Sequence, residues 1–152
     1  MLLTDLLSPD RIKIPLSSGS KDELLRELVQ IVGDTSNVED LPDVLRAVRE
    51  REGVLSTGIG HGVAIPHGKS ANLTEITLVA GVTPSPIDFE ALDGRPVRLF
   101  FLLVGPDSAA SQHVKALSRI SRLLRRDTTR ARLVEAATPE DFYSILADAE
   151  LP

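Results

Sequence analysis

Two stretches of the chain are apolar at almost every position, 76–82 (ITLVAGV) and 97–104 (VRLFFLLV). Runs of that kind belong to strands covered on both faces, and so predict a sheet with helices on each side. A polar excursion through Pro84, Pro86, Asp93 and Gly94 separates them. Elsewhere the apolar positions recur at helical spacing. Leu24, Leu25, Leu28, Ile31 and Val32 form one stripe, opened by Ser20 and Glu23 as a capping box and stopped by Gly33. A second helix is expected over 42–52 on Val44, Leu45 and Val48, with Gly53 after its last turn. A short strand at 12–16 precedes both, and Pro15 limits how centrally it can pair.

After the last apolar run the pattern is helical to the end: 111–125, then 128–136 behind an Asp127 cap, then 142–149 behind Thr138 with Pro139 at the first helical position. Between the second helix and the apolar runs the period breaks. Positions 54–70 read VLSTGIGHGVAIPHGKS, with Gly58, Gly60, Gly62 and Gly68 around one short β-like piece at 63–65. The order β, α, α, β, β, β, α, α, α predicts a three-layer α/β/α domain with a mixed central sheet, a single domain over 1–152.

Composition narrows the chemistry. The 152 residues carry no cysteine, which removes disulfides, thiolate metal sites and thiol nucleophiles and fits a reducing cytoplasm. A net charge of −5 with 3% aromatic residues argues against nucleic acid as a partner and against capture by an anionic membrane. The N-terminus lacks a basic signal-peptide region, and the longest apolar run, 99–104, falls far short of the ~20 residues of a membrane span. A cytoplasmic location is expected. Lys115, Arg119, Arg122, Arg125, Arg126, Arg130 and Arg132 cluster late and read as the solvated face of two helices.

Chemistry then falls to three histidines and the groups around the glycines. His67 follows Pro66, which fixes its own φ, and precedes Gly68, which allows close approach of a ligand. A neutral imidazole offers a nitrogen lone pair at pH 7 without special activation. The alternative for His67 is a loop histidine bonded to a neighbouring carbonyl. His113 shares a helical stripe with Leu117, Ile120 and Leu124, which predicts a core-facing, neutral ring that donates one hydrogen bond and accepts another. The segment 62–70 is not a phosphate-binding P-loop, since it has five residues where four are required and one of them is Pro66. Gly58, Gly60 and Gly62 alternate too strictly for a dinucleotide fingerprint. His61 and His67 lack the spacing of a zinc pair.

Glu52, six residues, Ile59-Gly60, two residues, then Val63-Ala64-Ile65-Pro66-His67-Gly68 resembles the pattern of type 2 enzyme IIA domains. These belong to the mannitol, fructose and nitrogen-regulatory branch of the bacterial phosphoenolpyruvate-dependent phosphotransferase system. The likeness extends through PIDFEALDGRPVRLFFLLVGP and on to His113. It implies a phosphotransferase component that forms a phosphohistidine on His67, with His113 stabilising the phosphoryl group. Arg51 and Glu52 would border the site, and no cofactor or metal is implied. Ser56 and Thr57 hydroxyls and the glycine-rich backbone are expected donors to phosphoryl oxygens, and Arg51 either contacts phosphate or holds the turn. The implied partners are an HPr-like phosphocarrier as donor and a IIB domain as recipient; the second reading is a regulatory module of the nitrogen-regulatory type whose phosphorylated and free forms engage target proteins differently, with no sugar transported. A scaffold that has lost phosphorylation is the third reading, against which the intact IPHG stands. Many nitrogen-type members carry Asn where this chain has His61.

Overall fold

The computed structural model describes residues 1–151. In chain order the elements are α1 (Leu3–Leu6), β1 (Ile12–Lys13), α2 (Lys21–Thr35), α3 (Leu41–Val54), β2 (Gly58–Gly60), β3 (Val63–Ala64), β4 (His67–Lys69), β5 (Thr77–Ile87), β6 (Val97–Gly105), α4 (Ala110–Leu123), α5 (Asp127–Glu135) and α6 (Pro139–Ala149). The sheet runs β1-β5-β6-β3-β2, with β4 also on β6 beyond β3. β5 and β6 are antiparallel, and β1 on β5 and both β3 and β4 on β6 are parallel, so the sheet is mixed as the pattern predicts.

The two apolar runs are its centre, and both of their faces are covered. Leu78, Leu99, Phe101 and Leu103 join Ile120, Leu133, Phe142 and Leu146 in one core, under α4 to α6. Val79, Phe100, Leu102 and Val104 join Leu28, Val32, Val44 and Val48 in the other, under α2 and α3. The α/β/α layering follows directly, because a strand buried on both sides needs a helical layer on each.

Several boundaries differ from expectation. β1 is two residues long rather than spanning 12–16, since Pro15 has no N–H to extend the ladder; Leu16 N then makes a single bond to Val82 O at 2.8 Å. Gly33 does not stop α2, which continues to Thr35. A Cβ at Gly33 would lie 2.7 Å from Leu41 Cδ2, so this glycine makes room for the start of α3. Gly53 likewise lies inside α3, which ends at Val54 and is capped by Asp40. β5 runs on through Pro84 and Pro86 to Ile87 as an irregular, exposed edge. Asp127 is the first residue of α5 rather than its cap, and its carboxylate pairs with Arg130. Thr138 does cap α6, accepting from Asp141 N at 3.1 Å.

The glycine-rich stretch holds three short strands rather than one. It contributes β2, β3 and β4, and Leu103 N donates to Pro66 O at 3.0 Å, which holds the Ile65-Pro66 step against β6. At the other end of the molecule the Glu150 side chain, 1% exposed, accepts from Leu3 N (2.7 Å), Thr4 N (3.0 Å) and Arg119 Nε (2.7 Å). Arg119 is therefore an anchor between α4 and the chain's two ends, not part of a solvated face.

Candidate functional site

Register places the histidine. β4 lies parallel to β6 with His67 opposite Leu103 and Gly68 opposite Val104. Neighbouring strand residues face opposite sides. His67 therefore turns to the α4 layer, to which Leu103 belongs, and Gly68 to the α3 layer with Val104. A Cβ on Gly68 would sit 3.0 Å from Val48 N and 3.2 Å from Ala47 C. The close approach at Gly68 is thus to the backbone of α3 rather than to a ligand. It brings the C-terminal half of α3 beside β4.

His67 and the buried His113 of α4 meet in one open cleft of about 550 Å³, lined also by Arg51, Val54, Lys69 and Val114. The two rings are edge to face, centroids 5.8 Å apart at 63°. His67 Nδ1 lies 2.9 Å from Ile65 O. A carbonyl only accepts, so Nδ1 carries the proton and Nε2 keeps the lone pair. Burial pushes the His67 pKa below its usual value; the Ile65 carbonyl partly opposes this, and Arg51 adds to the lowering. Burial holds His113 at about 4, assisted by repulsion from His67 and Lys69. Both rings are neutral at pH 7. His67 has the carbonyl bond of the plainer reading, yet that bond leaves the other nitrogen free.

His113 departs from its expectation. It is buried, but neither Nδ1 nor Nε2 has a hydrogen-bond partner. A buried polar ring left unpaired is costly, of order 1–3 kcal/mol, and such groups point to function more than to packing.

The remaining candidates separate into two sets. Arg51 lines the cleft while its Nη1 donates to Leu55 O at 2.8 Å, so it holds the end of α3 and still has further N–H groups to offer. Glu52 faces away from the cleft and is buried. Its carboxylate accepts from Thr57 N (2.9 Å), from the Thr57 hydroxyl and from Lys21 Nζ (3.1 Å). Ser56 Oγ accepts from Gly58 N at 3.1 Å. The Ser56 and Thr57 hydroxyls do not reach the cleft; they are committed to the loop, contrary to their expected use as phosphoryl donors. His61 is exposed at the β2–β3 turn with φ 58°, a left-handed conformation for which Asn and His are among the better-suited residues, and it does not line the cleft.

Sequence reasoning missed the rim. Val54 is 81% exposed and Val114 60% exposed, both on the cleft, with the exposed Leu55 next in the chain. The clue was available: Val114 sits beside, not on, the apolar stripe of α4, where a solvated helix face ordinarily carries polar residues. A second cleft of about 510 Å³ between α2 and α3 is of similar size. It contains no histidine, and its Arg26, Arg46 and Arg49 are each paired with carboxylates. Among the described residues no three His, Asp or Glu side chains converge to hold a metal ion, and no helix is long and apolar enough to cross a membrane.

A mixed sheet between two helical layers, with two neutral imidazoles in one surface cleft, defines a small α/β domain with a histidine pair at its surface. The chain belongs to the family described as "Phosphoenolpyruvate-dependent sugar phosphotransferase system, EIIA 2", whose model matches residues 5–149. It is 39% identical over 147 residues to a nitrogen regulatory protein of Bradyrhizobium diazoefficiens, covering 97% of this chain and 95% of that one. It is 34% identical over 146 residues to the fructose-specific EIIABC component of Bacillus subtilis; the match takes in 96% of this chain but spans only 23% of that longer protein. The crystal structure of nitrogen regulatory protein IIA-Ntr from Neisseria meningitidis superposes with a TM-score of 0.87 at 31% identity, over 95% of this chain and 98% of the other.

Proposed function

We propose that this protein is a cytoplasmic phosphoryl relay in which His67 Nε2 accepts a phosphoryl group from an HPr-like phosphocarrier and passes it to a IIB partner. The observation that carries this reading is the bond from His67 Nδ1 to Ile65 O, which leaves Nε2 as the free lone pair beside His113. In the step itself, the Nε2 lone pair forms a bond to phosphorus as the donor's P–N bond breaks. The bonding pair returns to the donor imidazole, and the His67 proton stays on Nδ1, donated to Ile65 O. Charge then sits on the three equatorial oxygens, so catalysis is positioning plus donors for those oxygens. The unpaired ring of His113, Arg51 and Lys69 serve them, while Glu52, Ser56, Thr57 and Gly68 hold the frame. The exposed Val54, Leu55 and Val114 give a partner protein an apolar seat around the reacting nitrogen.

The test is incubation with phosphoenolpyruvate, enzyme I and HPr-type carriers, followed by intact mass and an acid–base lability assay. One phosphoryl group, lost in acid, kept in base and absent from His67→Ala, is the expected result; His113→Ala labels more slowly. Full labelling of His67→Ala overturns the assignment.

The coextensive match to a nitrogen regulatory protein favours a second use of the same chemistry, a switch whose two forms engage different targets. Capture with phosphorylated and free protein distinguishes it: identical partners for the two forms argue against the switch.

A further inference from the structure

A continuous hydrogen-bonded path leads from the start of α2 to the reacting imidazole. Lys21 Nζ lies 3.1 Å from Glu52 Oε2, and its ammonium also sits 4.8 Å from the centre of the Phe89 ring. Thr57 gives Glu52 both its N–H, at 2.9 Å, and its hydroxyl. With its amide and side chain both held, the Thr57 carbonyl accepts from Ile65 N at 3.0 Å. The same Ile65 residue offers its own carbonyl to His67 Nδ1 at 2.9 Å. Among the described residues nothing else bonds Nδ1, so the placing of the Ile65 residue sets both the ring's rotation and the nitrogen that keeps its proton.

We propose that Lys21, Glu52 and Thr57 form a positioning relay that holds Ile65 in place and thereby fixes the tautomer and aim of His67, which makes Lys21 a positioning residue for phosphoryl uptake. This rests on the reading of His67 as the phosphoryl acceptor. Lys21 supplies the positive charge that a buried Glu52 carboxylate requires. Without it the carboxylate turns toward water through the shallow pocket at Lys21 and Glu90, and Thr57 loses its clamp. In-line transfer tolerates little misplacement, so the cost falls on rate as well as on stability.

The variants are Lys21→Met, Lys21→Arg and Thr57→Val, with Lys21 chosen because it is partly exposed and lines no part of the histidine cleft. Two readouts are taken on the full chain: the share of the Nδ1–H tautomer of His67 by ¹⁵N NMR at pH 7, and the rate of phosphorylation by an HPr-type carrier. Lys21→Met is expected to lower the Nδ1–H share and slow phosphorylation about tenfold at temperatures where it stays folded, with a lower melting temperature because the Glu52 carboxylate loses its partner. Lys21→Arg restores both, and Thr57→Val reproduces the tautomer change. An unchanged tautomer in Lys21→Met overturns the relay, whatever the rate, as does failure of Lys21→Arg to rescue. If the parent takes up no phosphoryl group on His67, the assigned function fails, and the tautomer measurement still decides the relay.

Discussion

His67 and His113 stand edge to face in one cleft, and only His67 has a hydrogen bond on its ring. His67 is oriented by the Ile65 carbonyl, whereas both nitrogens of the buried His113 ring lack a partner among the described residues.

An unpaired buried ring should cost stability, and an apolar side chain of similar size should recover it. His113→Leu is expected to raise the free energy of unfolding by about 1–2 kcal/mol in urea titration while slowing phosphoryl uptake. A less stable His113→Leu protein would show that the ring is better satisfied than the structure indicates.

The same burial makes stability depend on pH. His113 has a folded pKa of about 4, below the ordinary 6.5, so the unfolded chain binds the extra proton more readily between these values. Its contribution is fully present above about 6.5 and is lost as pH falls through about 4. Urea midpoints measured from pH 7.5 to pH 4 should decline across this window, and the decline should be shallower in His113→Leu. Phosphorylation should persist to a lower pH than an ordinary imidazole allows, because the His67 pKa is also lowered; a rate that halves at or above 6.5 contradicts this.

Gly68→Ala presses a methyl group onto the backbone of α3 at Val48 and Ala47, which cannot swing aside as a side chain would. We expect a loss of about 1–3 kcal/mol from overpacking, together with impaired labelling as α3 shifts from β4. Circular dichroism melts and the labelling assay read the two effects on one sample; an unchanged melt would mean that the helix yields freely.

Glu150→Ala removes the acceptor of two α1 amides and the partner of Arg119. Breaking a buried pair in this way costs about 3 kcal/mol, visible as a lower melting temperature with the labelling rate at low temperature retained. A melting temperature equal to the parent's would remove Glu150 from the framework.

Val54→Asp and Val114→Asp place charges on an exposed rim that supports no core. Each should leave the melt within experimental scatter and weaken uptake from the carrier through a raised KM. Equal kinetics in both variants would move the docking face elsewhere.

The layers were legible because 76–82 and 97–104 are apolar on both faces, and the helices because Ser20 and Thr138 announce their starts. β2 and β4 were not: three-residue strands rich in glycine show no alternation to read. Gly33 and Gly53 misled because a helical glycine looks the same in sequence whether it ends a helix, lets another element come close as Gly33 does, or faces open space as Gly53 does. For the site, His67 could be picked out from its neighbours, but its meeting with His113 depends on β4 pairing with β6 and α4 packing back over that edge. Thr57 shows the converse limit, since a hydroxyl immediately before Gly58 gives no hint that Glu52 has already claimed it.

β4 holds its place on β6 through only three residue pairs, and its alternation hands His67 to one helical layer and Gly68 to the other. A slip by one residue would drive the imidazole into α3 and leave a bare methylene beside His113. There is no half-correct alignment, so the nucleophilicity of a single nitrogen becomes a gauge of sheet registry. Variants of either core can therefore be graded by the chemistry of His67 alone, with activity serving as a fidelity check on strand alignment.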